Sequence, residues 1–176
     1  DCLPTPEGIQ ICRDYHIQMP MQSAFIGWKQ EPDDYLEHIL GHDRLEKLNP
    51  IRTFRDNNIV VSFGSDAPCT TPDPIAWMDR AVNNDNAGQA VSVQDALRMC
   101  TYNGAWAAFD EQERGSLEAG KIADMAVLSE NPYTVPKDKI KDIRVERLYL
   151  SGKSYESCRE SILPMMLRGL TSRNKA

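Results

Sequence analysis

Hydrophobic and polar positions fall into two successive patterns along this chain. In the first, short apolar runs alternate with helical spacing. Ile17-Gln18-Met19-Pro20-Met21-Gln22 reads as a short strand, weakened by Pro20, which has no N–H to give to a ladder. Asp33 to Leu48 reads as helical and broken near Gly41. Pro50 to Arg55 predicts another helical turn, stopped by Asn57-Asn58, because Asn tolerates the left-handed backbone of a helix end. Ile59-Val60-Val61-Ser62-Phe63 is the clearest strand. Its nearly continuous β-branched run fits a parallel strand buried on both faces. It ends at Gly64-Ser65-Asp66-Ala67-Pro68. Asp73-Pro74 then opens a helix with a cap and a proline in the first turn, striped by Ile75, Met78 and Val82. Ser92-Val93-Gln94-Asp95 opens another with a capping-box pattern. Its positions Val93, Ala96, Leu97 and Cys100 follow helical spacing and predict a core face. Ala105 to Phe109 reads as one more short helix.

The second pattern is β-like. Gly115 to Lys121 is a turn-rich link, Ile122 to Leu128 and Val145 to Leu150 read as strands, and Ser151-Gly152-Lys153 makes a tight turn. The expected organisation is a βα region over 1–114, a small β region over 115–155 and a tail over 156–176 with no assigned role.

Composition narrows the class. The chain has 176 residues and is 41% hydrophobic; with the glycines this reaches about 47%, inside the usual globular range of about 45–50%. A net charge of -6 argues against a basic nucleic-acid face. No apolar run approaches the roughly 18 residues of a membrane span. The five cysteines are odd in number and none are in CxxC spacing, which predicts reduced thiols in a reducing compartment, the cytoplasm. The chain begins Asp1-Cys2-Leu3-Pro4, with neither an initiator Met nor the pattern of a signal peptide. The expectation is the end of a longer protein.

Asp66 is the candidate that chemistry favours. It lies just past the C-terminal end of a buried parallel strand, where βα folds gather ligands and catalysis. A carboxylate there can ligate a metal or move a proton; the bland alternative is an Asp that caps its own loop. Gln22 closes the first strand at the same favourable end and is a candidate for hydrogen-bonding a substrate or a loop. Ser65 has no adjacent base and no G-x-S-x-G elbow, which leaves substrate binding rather than nucleophilic attack. Gly64 reads as a concession to backbone crowding at the turn. His38 and His42 are four apart, a metal-binding spacing on one helix, but Gly41 between them and a polar surround favour solvated side chains. His16 precedes the first strand, at the end away from Asp66.

Together these pieces resemble a known family. Leu40-Gly41-His42-Asp43-Arg44, Pro50-Ile51-Arg52, Ile59 through Pro68, Ala96-Leu97-Arg98 with Thr101, and Gly115-Ser116-Leu117-Glu118-Ala119-Gly120-Lys121-Ile122-Ala123-Asp124 are similar to the closing part of a YtcJ-like amidohydrolase, over roughly residues 15–155. The resemblance implies an α/β fold: strands seven and eight of a (β/α)8 TIM-type barrel with their helices, plus part of a small β-sandwich domain. It implies a metal-dependent hydrolase of non-peptide C–N bonds, akin to N-substituted formamide deformylases. Asp66 would match the aspartate after strand eight, which ligates the metal or receives a proton from the activated water. Gln22 would match the end of strand seven, and Arg44 and Arg52 match positions where a structural role is equally expected. The implied cofactor is a divalent metal, zinc, with most ligands outside this chain: the family's His-x-His and its later Lys or Glu and His ligands are not found here. A complete barrel needs about 250 residues, so this piece alone is expected to lack activity. The implied partners are a small amide-type substrate, the N-terminal remainder of the barrel and a second copy of the chain. The alternative is a non-catalytic binding module that keeps the closing strands.

Overall fold

A computed structural model describes residues 2–155; the tail over 156–176 lies outside the described residues. The chain opens with a helix that the hydrophobic pattern did not reveal, α1 (Pro6–Asp14). Its signals are local: Thr5 caps it by accepting from the Gly8 N–H at 3.1 Å, and Pro6 stands in the first turn. His16 then turns left-handed and leads into β1 (Met19–Met21), which is shorter than the expected 17–22 run.

After a 3-10 turn at Ser23–Phe25, the helical stretch splits into α2 (Asp33–Leu40) and α3 (His42–Leu45). The break is Gly41 at φ 78°, a backbone that glycine adopts without steric cost. Next come α4 (Ile51–Asp56) and β2 (Val61–Phe63). Asn58 between them is left-handed at φ 58°, as expected of the stop. That turn delays the strand: β2 begins at Val61, two residues into its apolar run, with the Val60 carbonyl just ahead of it accepting from the Met19 N–H at 2.9 Å.

Two capped helices follow. In α5 (Pro74–Val82), the Asp73 carboxylate accepts from the N–H groups of Ile75 and Ala76. In α6 (Val93–Cys100), the Ser92 hydroxyl accepts from the Asp95 N–H at 3.1 Å and donates to the Asp95 carboxylate at 2.7 Å. The buried face of α6 includes Ala96 and also Met99, with Val93, Leu97 and Cys100 half-buried against the core. Burial pushes the Cys100 thiol up to about 12. The last helix, α7 (Tyr102–Ala107), starts three residues before the expected Ala105, because the chain bends at Thr101 and resumes at once.

The C-terminal part is an antiparallel sheet of β3 (Met125–Leu128), β4 (Val145–Leu150) and β5 (Lys153–Tyr155), in the order β3-β4-β5. The β4–β5 turn uses Ser151 at φ 52° and Gly152 at φ 73°, both left-handed as hairpin turns of this length require. The earlier pair, β1 and β2, is parallel, with Met19 opposite Val61 and Met21 opposite Phe63. Around it sit Ile51, Phe54, Ile59, Val61, Met78 and Met99, all nearly solvent-free. A 3-10 turn at Lys137–Asp142 packs on α5 and adds Ile140 to the same core.

The Ser92–Asp95 cap has an energetic consequence. Asp95 also accepts from Arg55 Nη1 at 2.6 Å. Burial alone would raise its pKa, but the hydrogen bonds from Ser92 and Arg55 prevail and hold the carboxyl below the usual range. A depressed folded pKa stabilises the fold above the unfolded value of about 4, and that support is lost as pH falls through the folded value. Ser92→Ala removes one cap and one donor to Asp95. The expected cost is about 1 kcal/mol at pH 7, read as a lower urea midpoint, with a smaller loss at acid pH where Asp95 is protonated.

Candidate active-site edge

The parallel register brings the C-terminal ends of β1 and β2 to one edge of the sheet. The Gly64 N–H donates to the Met21 carbonyl at 3.0 Å, so Gln22 and the turn beginning at Gly64 leave the ladder side by side. Gln22 is half-buried, and its carbonyl accepts from the Phe25 N–H at 3.1 Å, while its side chain makes no capping bond.

The second turn is largely held by its own atoms. Ser65 Oγ accepts from the Ala67 N–H at 3.2 Å. The Ser65 carbonyl accepts from the Thr70 hydroxyl. The Asp66 carbonyl accepts from the Cys69 N–H at 2.9 Å. Asp66 itself is left-handed at φ 53°, a region that Asp tolerates better than most residues. Its residue is exposed, and its carboxylate makes no hydrogen bond or ion pair among the described residues. This disfavours the loop-capping alternative, in which that carboxylate would bind nearby N–H groups. A free carboxylate at this edge can accept a proton or ligate a cation.

One expectation is corrected here. A Cβ built on Gly64 meets nothing within 4 Å, so crowding does not explain the glycine. Nor do His38 and His42 share a helix, since Gly41 separates α2 from α3. His42 instead lies 3.1 Å from Glu37 and 3.5 Å from Glu46 on an exposed surface. Arg52 lies 3.5 Å from Asp56, one turn along α4, a surface ion pair. Among the described residues no group of three or more His, Cys, Asp or Glu is placed to hold a metal ion. Hollows of about 370 and 380 Å³ lie elsewhere, the first between Phe25, Leu36, Leu45 and Asn86, the second beside Val61, Met99 and Trp106. Neither includes Gln22, Ser65 or Asp66.

What the hydrophobic pattern does not reveal is how the opposite, N-terminal end of the strand pair is held. Asn103 Nδ2 on α7 donates to the Val61 carbonyl in β2 at 2.7 Å. Gln18 Nε2, just ahead of β1, donates to the Ala107 carbonyl at the end of α7 at 3.2 Å. The sequence signals neither contact, because each joins positions tens of residues apart.

Residues 10–155 match the profile of the Amidohydrolase family. An N-substituted formamide deformylase of Arthrobacter pascens is 32% identical over 152 residues, which is 82% of this chain and 26% of the relative. The YtcJ protein of Bacillus subtilis is 25% identical over 124 residues, 65% of this chain and 23% of the relative. The chain thus spans about a quarter of the length of these curated relatives. In fold, it is similar to an adenosine deaminase from Xanthomonas campestris with bound zinc, at a TM-score of 0.63 and 16% identity, covering 98% of this chain and 40% of that structure. No helix among the described residues is long and apolar enough to cross a membrane. With its parallel strand pair, its turn at Asp66 and a profile match over most of its length, the chain belongs to the amidohydrolase family.

Proposed function

We propose that this chain is the closing part of a metal-dependent amidohydrolase, with β1 and β2 as strands seven and eight of its barrel and β3–β5 as part of a sandwich domain. The complete protein would hydrolyse a non-peptide C–N bond in a small amide, and the deformylase relative suggests an N-substituted formamide. The observation that carries this reading is Asp66: an exposed carboxylate with no partner among the described residues, just past the C-terminal end of a buried parallel strand, on the sheet edge where Gln22 also leaves β1. The free thiols of Cys2, Cys12, Cys69 and Cys100 support a reducing, cytoplasmic setting.

The donor set fits a metal only in part. Asp66 can supply one hard oxygen ligand, and further ligands would come from outside this chain. A divalent metal, when bound, lowers the pKa of water to about 7 and polarises a carbonyl. The chain's own contribution is proton handling and orientation. Asp66 accepts the proton from the attacking water and returns it to the leaving nitrogen, the usual work of a carboxylate within hydrogen-bond reach. Gln22 offers an amide that can hydrogen-bond the substrate. Ser65, whose Oγ already accepts from Ala67, keeps its O–H as a donor.

The test is formate release from a panel of N-substituted formamides. The complete protein with zinc should release formate, lose this on chelation and regain it on re-addition, and the 176-residue chain alone should show none. Turnover by this chain alone, or zinc-independent turnover by the complete protein, would overturn the reading. Absence of hydrolysis across amides would favour the binding module.

A further inference from the structure

We propose that Thr70 is a positioning residue for Asp66: its hydroxyl holds the peptide plane just ahead of the aspartate and so sets where the carboxylate points. The inference rests on the reading of Asp66 as the proton-transfer carboxylate.

The Asp66 carboxylate has no partner among the described residues, so no contact of its own fixes it. Its placement comes from the backbone, through the direction of the Cα–Cβ bond. A peptide unit is planar, so that direction is set once the units before and after Asp66 are both held. The unit after it, Asp66–Ala67, is held twice. Its carbonyl accepts from the Cys69 N–H at 2.9 Å, and its N–H donates to Ser65 Oγ at 3.2 Å. The unit before it, Ser65–Asp66, is held among the described residues by one bond, from the Thr70 hydroxyl to the Ser65 carbonyl. Removing that bond loosens φ of Asp66, which stands left-handed at 53°. This region is unfavourable for a residue with a Cβ. A loosened Asp66 therefore has lower-energy conformations to relax into, and each aims the carboxylate elsewhere.

Thr70 is itself fixed. It is half-buried, which shields its bond in part from competing water. Three residues on, the Asp73 carboxylate accepts from Ile75 and Ala76 and secures the start of α5, whose Met78, Ala81 and Val82 are buried in the core. At the other end of the turn, the Gly64 N–H is bonded to the Met21 carbonyl. The Thr70 bond thus ties the exit of β2 to the anchored entry of α5, across the turn that carries Asp66. It lies within that turn, past the last bond between β1 and β2. A carbonyl oxygen has two lone pairs, so the bond is compatible with a further barrel strand alongside.

The geometry matters more to proton transfer than to folding. A proton acceptor must lie within roughly 3 Å of its donor, and an error of about 1 Å can cost on the order of a hundredfold in rate.

The test is a double-mutant cycle in the complete protein with zinc, using Thr70→Val, Asp66→Asn and the pair, with Thr70→Ser as the conservative variant. Thr70→Val keeps the shape and loses the hydroxyl. It should lower kcat by about tenfold or more per folded, metal-loaded site, with KM changed less than about twofold. Thr70→Ser restores the hydroxyl and should stay within about threefold of the parent. The double variant should be no slower than Asp66→Asn alone, since Thr70 then has nothing left to position. Thr70→Ala serves if the valine variant fails to fold, and a failure of both while Thr70→Ser folds assigns the hydroxyl to stability and overturns the inference. Losses that multiply, or a serine variant as slow as the valine one, would also overturn it. A collapsed Asp66→Asn beside an undiminished Thr70→Val overturns it alone. Full activity in Asp66→Asn, or no hydrolysis by the parent, overturns the reading of Asp66 and this inference with it.

Discussion

Asp66→Asn in the complete protein is expected to lower kcat by about 10²–10⁴-fold, the range that a positioned acid–base group contributes. The substitution is unusually clean. Asn matches Asp in size and accepts the left-handed backbone seen at φ 53°. The carboxylate makes no bond among the described residues, so no folded-state partner is stranded. Thermal stability should therefore hold while turnover collapses. Steady-state kinetics beside a melting curve separate the two. A kcat within twofold of the parent would remove Asp66 from the chemistry.

The largest expected effect on stability lies in the core. Phe54 and Ile51 stand one turn apart on α4 and are both fully buried. Phe54 also closes the α4–β2 junction, since its carbonyl accepts from the Ile59 N–H at 3.0 Å. Phe54→Ala leaves that backbone bond in place and opens a cavity beneath the strand pair. The expected loss is about 3–5 kcal/mol by urea denaturation. Leu117→Ala is the control: at 78% exposed, Leu117 has little to lose, and a change within about 0.5 kcal/mol is expected. Similar losses at both sites would show that the core does not lie where the fold places it.

The elements written most plainly in the sequence are those with local causes. Asp73 and Ser92 cap their helices as their neighbours predict, and Gly41 breaks the helical run by its backbone freedom. The Val60-Val61 run announces a buried strand, and the structure pairs it in parallel with β1. Strand limits were less legible. His16 and Asn58 take left-handed backbones that postpone each ladder, although the apolar run has already begun. Asp66 could be singled out as a candidate because a strand end is a place in the sequence as well as in the fold. Asn103 and Gln18 could not, since nothing near them in the chain distinguishes a tertiary donor from a surface amide. Gly64 shows the opposite failure: a reasonable local cause, crowding, that the open space around it does not support.

The link between α7 and the C-terminal sheet carries one more consequence. Its flanks are tied to each other. Ile122 N–H donates to the Glu113 carbonyl at 2.7 Å, Arg114 reaches Asp124 at 3.2 Å, and the Asp124 carboxylate accepts from the Ser151 N–H at 2.8 Å. Leu117 to Gly120 between them are exposed. The crossing is thus a closed stitch whose exposed slack is tied within itself, Glu118 to Ser116 at 2.8 Å and to the Lys121 N–H at 3.2 Å. Lengthening the slack adds only the slow logarithmic entropy of a larger loop, so this is where the lineage can insert, vary or append sequence while both neighbours keep their places.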